Sequence, residues 1–167
     1  SARDMFMAMF DMEFLPPGRG LFSMGTKSVE IKGGAVLNNC GFVSTKDIAN
    51  THTEAFEFLM DMSMLGVGIG FDTFGEGKLK IHDPRTTNKK DMFIIPDTRE
   101  GWVESVKLLL ESYFCESKNE VEFDYCKVRK EGLALKINGG ISSGSGPLKS
   151  AHISLRKVLD KNIGSFI

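Results

Sequence analysis

The stretch "AVLNNCGFVST", residues 35–45, decides the fold class, because it reads as a β-strand interrupted at its centre. Ala35, Val36 and Leu37 precede the interruption, and Phe42 and Val43 follow it. Between them, Asn38, Asn39 and Cys40 stand where a strand normally buries hydrocarbon. Side chains two apart on a strand share a face, so Asn38, Cys40 and Phe42 point one way. Leu37, Asn39, Gly41 and Val43 point the other. A buried amide without partners costs about 1–3 kcal/mol. Two amides beside a thiol therefore suit a face that opens on a polar cavity, and Gly41 removes bulk beside the sulfur. The competing reading is a small buried cysteine, since free Cys is among the most buried residue types. Local pattern leaves both open.

Upstream, residues 5–14 are rich in Met and Phe and read as a buried helix. "FLPPGRGLFSMGT", residues 14–26, reads as a loop, because Pro16 and Pro17 cannot continue a helix and Gly18 and Gly20 free the backbone around Arg19. "KSVEIKGGA", residues 27–35, reads as a short strand and turn. Downstream, residues 44–68 read as a helix with Ser44 or Thr45 as N-cap and Asp47 in its first turn. Ala55, Phe56, Leu59, Met60 and Met64 recur there at roughly helical spacing. Gly66, Gly68 and Gly70 end that helix, and "GIGFDTF", residues 68–74, enters a strand or loop.

Residues 75–93 are polar and turn-rich, a hairpin or mobile loop. "IPDTREGWVESVKLLLESYF", residues 95–114, carries a clear helix start, with Pro96 fixing the entry and Asp97 or Thr98 as cap. Trp102, Val103, Val106, Leu109, Leu110 and Phe114 form its apolar face, with Glu104, Lys107 and Glu111 outward. "VEFDYCKV", residues 121–128, alternates as a strand. Residues 135–150 read as a Gly/Ser loop, and residues 151–167 as the start of an amphipathic helix. Strands and helices intermix, which predicts a mixed α/β class.

The 167 residues suffice for one compact domain, and 41% hydrophobic with 26% charged residues fits a folded globular chain. A net charge of -1 gives no electrostatic case for nucleic acid. No apolar run reaches membrane-spanning length, and the N-terminus lacks the layout of a signal peptide. Both ends read as cuts within a longer protein. Three cysteines, Cys40, Cys115 and Cys126, show neither a disulfide framework nor zinc spacing, which favours a reducing cytosol. His52, His82 and His152 are scattered and read as solvated, with no metal site. HExxH and Walker patterns are absent.

Three loops offer weaker signals. "LGVGIGFDT", residues 65–73, has alternating glycines, but a helix rather than a strand comes before them, so tight packing fits better than a dinucleotide site. "PPGRG", residues 16–20, offers Arg19 to a phosphate or carboxylate, or is an ordinary exposed turn. "GGISSGSGPL", residues 139–148, is an anion nest or a flexible linker.

Read together, "FLPPGRGLFSMGT", "LNNCGFVST", "DMSMLGVGIGFDT", "IPDTREGWVES" and "GGISSGSGPL" occur in this order. That ordered set resembles the adenosylcobalamin-dependent ribonucleoside-triphosphate reductases, the monomeric class II ribonucleotide reductases. The resemblance runs over residues 5–148 and covers a front portion of a longer family protein. It implies a ten-stranded α/β barrel with a central active site. Residues 1–74 would give the first part of the barrel, 75–148 an effector-binding insertion, and 149–167 the start of a further helix. It also implies reduction of ribonucleoside triphosphates at the 2′-hydroxyl, in the cytoplasm, to supply DNA precursors. Adenosylcobalamin would generate a protein thiyl radical that takes the 3′-hydrogen. A cysteine pair would then deliver the reducing equivalents and be restored by a thioredoxin-like dithiol.

Carried over residue by residue, Cys40 matches one member of the reducing pair. Its partner, the radical cysteine, the catalytic Glu and the cobalamin-binding regions have no matching motif in this chain, so this portion alone is expected to be inactive. Arg19 and Asn39 would line the substrate site. Gly68, Gly70, Asp72 and Lys78 would contact a deoxynucleoside triphosphate effector. Cys115 and Cys126 fall outside the family's catalytic motifs and read as structural. The whole protein would be a monomer without nucleic-acid or membrane partners. The alternatives are a dimeric class II reductase acting on diphosphates, which the insertion-like segment 75–148 disfavours, and a nucleotide-binding regulatory module without catalysis. A later barrel strand with two cysteines and a Glu would separate the enzyme from the module.

Overall fold

A computed structural model of the protein describes residues 1–135 and 140–167. Contacts divide the chain into two units, Ser1–Asn39 and Cys40–Ile167.

The first unit is a string of short helices. α1 (Ala2–Phe10) opens with a capping box, in which the Ser1 hydroxyl accepts from the Asp4 amide and the Asp4 carboxylate reaches back to the Ser1 backbone. The sequence predicts a buried helix here, yet α1 buries none of its residues. Phe10 is 72% exposed and stacks on Phe6, 6.2 Å away one turn back. Hydrophobicity alone does not bury a helix that has no layer of its own unit to pack against. α2 (Gly18–Ser23) replaces the expected loop. Pro17 serves as its N-cap, a place before the first turn where proline loses no helical hydrogen bond. α3 (Lys27–Lys32) replaces the expected strand and ends at Gly33, whose φ of 73° suits glycine. Gly34–Leu37 then turns as a 3-10 helix that buries Val36. The strand predicted from residue 35 therefore begins only at Cys40, because the turn consumes its first half.

The second unit holds two β-α-β segments. β1 (Cys40–Val43) pairs parallel with β2 (Gly68–Phe71), and the chain between them passes through α4 (Ile48–Thr51) and α5 (Glu54–Met64). β3 (Lys90–Ile94) pairs parallel with β4 (Glu120–Asp124) across α6 (Arg99–Phe114). Parallel neighbours need such crossovers, since a tight turn would reverse the chain. The long helix predicted over 44–68 is split at His52, whose φ of 49° breaks the helical path. Its cap position is Asp47 rather than Ser44 or Thr45. Residues 75–93 form no hairpin. Leu79 and Ile81 instead pair antiparallel with the last residues, the Ile167 and Leu79 amides exchanging bonds of 2.9 and 3.2 Å. That pairing, with period-two burial, turns Leu79 and Ile81 into the core.

α6 follows its prediction. The Thr98 hydroxyl accepts from the Gly101 amide at 3.0 Å, and Val106, Leu109, Leu110 and Phe114 enter the core with Ile81, Ile95, Val121 and Leu148. α7 (Gly146–Lys161) starts earlier than predicted, with Pro147 in its first turn, so the Gly/Ser loop is shorter than its composition suggests. Four residues of that loop, 136–139, lie outside the described residues. The class is mixed α/β as predicted, and among the described residues the named strands lie in two two-stranded parallel sheets. Among the described residues, no helix is long and apolar enough to cross a membrane.

His152, predicted to be solvated, is 2% exposed. It stacks on Phe123 with ring centroids 4.3 Å apart. Nε2 lies 3.1 Å from the Ser105 hydroxyl and Nδ1 lies 2.7 Å from the Tyr125 hydroxyl. The Ser105 hydroxyl already donates to the Trp102 carbonyl at 2.7 Å, so it accepts from His152 Nε2–H. Nδ1 then accepts from Tyr125. One neutral tautomer links α6, α7 and the residue that follows β4.

Burial, helped by the nearby Arg156 charge, lowers the His152 pKa to about 4. The unfolded chain takes that proton near pH 6.5 and the folded chain only near pH 4, so acidification across this window favours unfolding. The expected loss between pH 6.5 and 5 is about 2 kcal/mol. Urea midpoints should therefore fall on acidification, and His152→Leu should flatten that slope. An unchanged slope in the variant would show that His152 is not the coupled group.

Candidate functional site

The thiol face is set by the register of β1 on β2. Cys40 stands opposite Gly68, Gly41 opposite Ile69, Phe42 opposite Gly70 and Val43 opposite Phe71. A Cβ on Gly41 would sit 2.9 Å from Ile69 Cδ1, which puts Gly41 on the inner face with Ile69. A Cβ on Gly70 would meet the Phe42 ring at 3.6 Å, which puts Phe42 and Gly70 on the opposite face. Alternation places Cys40 and Gly68 with them. Cys40 is a free, exposed thiol, so in this structure the buried-cysteine reading is not the one realised. The other two cysteines sit differently. Burial and the neighbouring Glu111 push the half-buried Cys115 thiol up, and contact with Asp124 does the same for the exposed Cys126.

Ligand crevices in open parallel sheets form beyond the carboxyl ends of the strands. At that end of β1 and β2, Asp72 acts as a clamp. Its Oδ1 accepts from the Thr45 amide at 2.9 Å, the Thr45 hydroxyl at 2.8 Å and the Phe74 amide at 3.2 Å. The Ser44 side chain, then the Thr45 and Phe74 donors, hold its pKa at about 2. The Gly75 amide in turn donates to the Thr45 hydroxyl at 2.9 Å. Gly75 admits no side chain, because a Cβ would lie 2.7 Å from the Thr45 carbonyl. Farther on, Lys78 Nζ donates to the Lys46 carbonyl at 2.7 Å. Asp72 and Lys78 thus both tie the segment after β2 to the segment after β1. The helix cap expected of Thr45 is lost to this clamp.

At the equivalent end of β3 and β4, Asp97 receives both the backbone amide and the side chain of Arg129, the latter at 2.7 Å. No motif marks Arg129 in the sequence, and the pair arises only from the βαβ crossover. Arg19 lies on α2 and is half-buried, and Asn39 is exposed immediately before β1. In the Gly/Ser segment, Ser142 is buried and its hydroxyl accepts from the Gly144 amide at 3.0 Å. The His152 network gave no sequence signal, because its partners come from residues 105 and 125.

A groove of about 380 Å³ runs beside α7, lined by Met92, Phe123, Tyr125, Ile153 and Arg156 among others. It is smaller than a corrin ring with its substituents, and the one histidine on it has both nitrogens engaged. The described residues also hold no cluster of three His, Cys, Asp or Glu that could bind a metal ion. The groove itself does not fit a cobalamin.

Residues 72–159, more than half of the chain, match the family model of the B12-dependent ribonucleotide reductase insertion domain. An adenosylcobalamin-dependent ribonucleoside-triphosphate reductase of Euglena gracilis is 52% identical over 95% of this chain and 22% of its own length. A probable enzyme of the same name from Dictyostelium discoideum is 48% identical over 98% of this chain and 24% of its own. The solved structure of a B12-dependent (class II) ribonucleotide reductase superposes with a TM-score of 0.81 at 22% identity, over 99% of this chain and 30% of that one, which speaks for the fold. The chain thus spans about a quarter of the length of these curated relatives. It belongs to the B12-dependent ribonucleotide reductases and carries their insertion domain.

Proposed function

We propose that this chain is part of an adenosylcobalamin-dependent ribonucleoside-triphosphate reductase, with Cys40 as one of its two reducing thiols. The observation that carries the reading is the free, exposed thiol on a parallel strand, in a chain about half identical to relatives bearing that name. A strand holds a reacting side chain more rigidly than a loop. In the proposed step, two cysteine thiols give up two electrons and two protons. The 2′-hydroxyl leaves as water, a hydrogen replaces it on the 2′ carbon, and the sulfurs join as a disulfide. A thioredoxin-like dithiol of the cytoplasm then reduces that disulfide. The second sulfur and the radical cysteine belong to polypeptide outside these residues, as does the binding of cobalamin, which supplies the radical. The names of the relatives favour triphosphate over diphosphate substrates and an enzyme over a regulatory module.

Within this reading, residues 1–74 contribute to a ten-stranded barrel, 75–148 to the effector insertion, and 149–167 to a following helix. Arg19 and Asn39 serve the substrate site. The segment after β2, from Asp72 to Lys78, serves a deoxynucleoside triphosphate effector, with Lys78 as its cation and Asp72 holding its loop, while Gly68 and Gly70, also expected there, stand on β2 opposite Cys40 and Phe42.

Two outcomes test the reading in the full-length protein. Cys40→Ser should abolish multiple turnover with a dithiol reductant while radical formation from cobalamin persists. Undiminished turnover would reject the reductant role. In calorimetry, Lys78→Ala should weaken deoxynucleotide binding about tenfold, the scale of one charge-assisted contact. Asp72→Ala should also weaken it, and Asp72→Asn less, since an amide oxygen still accepts from Thr45. Wild-type affinity in both alanine variants would remove this segment from the effector site.

A further inference from the structure

We infer that Gly68 is a positioning residue for Cys40, keeping clear the space in which its sulfur reacts. The inference rests on the reading of Cys40 as a reducing thiol. It starts from the register, in which Gly68 is the direct β2 neighbour of Cys40, and both are exposed on the same face. Paired strands lie about 4.8 Å apart. Two cysteines that join must bring their Cα atoms within about 4.4–6.8 Å. The incoming sulfur therefore approaches as closely as the neighbouring strand already stands, and a side chain at residue 68 would compete for that space.

The rest of the face supports a clearance role over a general need for glycine. Gly68 does not have positive φ, so its backbone accepts other residues. Gly70, two residues on, is exposed, and a Cβ there would meet the Phe42 ring at 3.6 Å, so β2 offers no side chain of its own beside either Cys40 or Phe42. Gly41 has a different reason to be glycine, the Ile69 methyl 2.9 Å from its absent Cβ on the inner face.

The test uses full-length enzyme with Gly68→Ala and Gly68→Val, and Gly41→Ala as the opposite-face control. Iodoacetamide labelling of Cys40 is followed by mass spectrometry, beside thermal unfolding and turnover. Gly68→Val should slow Cys40 alkylation about tenfold, Gly68→Ala less, with turnover falling in parallel and KM for substrate changed little. The unfolding temperature should hold or rise, as β propensity predicts. Gly41→Ala should lower the unfolding temperature instead. Should the valine variant fail to fold, the alanine variant carries the same comparison. Unchanged alkylation in a folded Gly68 variant would overturn the clearance role. Slowed alkylation with undiminished turnover would instead remove the reductant reading, and the positioning role with it.

Discussion

Parallel pairing is the constraint on which the second unit depends. Two strands that run the same way cannot be joined by a tight turn, so each pair must carry a helix between its members. That requirement makes α5 and α6 crossovers, and they pack on each other through paired charges as well as apolar contact. Arg99 reaches Asp61 at 2.8 Å, and Lys107 reaches Glu57 at 3.8 Å. It also places the carboxyl ends of both strand pairs at loop mouths, where Asp72 and Asp97 each gather donors from a neighbouring segment. The register that follows sets Cys40 beside Gly68.

What the sequence makes legible divides along the same line. α6 is legible because its information is local. Thr98 caps it, Pro96 precedes it and sixteen residues display one apolar face. The alternation expected over 121–128 is a strand only in its first half, β4 ending at Asp124. The first unit is not legible. Val29 and Ile31 look like alternation, but a six-residue segment without a partner strand closes as a helix ending at Gly33. The fate of residues 78–81 depends on residues 164–167, far along the chain, and nothing local announces it.

The site shows the same split. Cys40 emerges from an ordered set of motifs, and its thiol is free and exposed on β1. His152 illustrates the opposite case. It closely follows the Gly/Ser segment, while its environment is assembled from Ser105, Tyr125 and Phe123 elsewhere in the chain. A single histidine on a helix carries no sign of such partners. Arg129 is invisible for the same reason.

Asp72 shows how the geometry sharpens a proposed role. A carboxylate ionised down to about pH 2 repels a polyphosphate, and its Oδ1 already serves three donors from Thr45 and Phe74. Direct contact with phosphate oxygens is therefore the least favourable use of this group. Its hydrogen bonds hold the turn at residues 72–75 against residues 44–45, and the same continuity carries Lys78 to the Lys46 carbonyl. The ammonium of Lys78 keeps protons to donate beyond that one carbonyl. In an effector segment, the division of labour that follows gives the cation to the phosphates and leaves the carboxylate to the backbone, or to hydroxyls of a sugar. Asp72→Asn isolates the charge from both uses, because an amide oxygen still accepts from N–H and O–H donors.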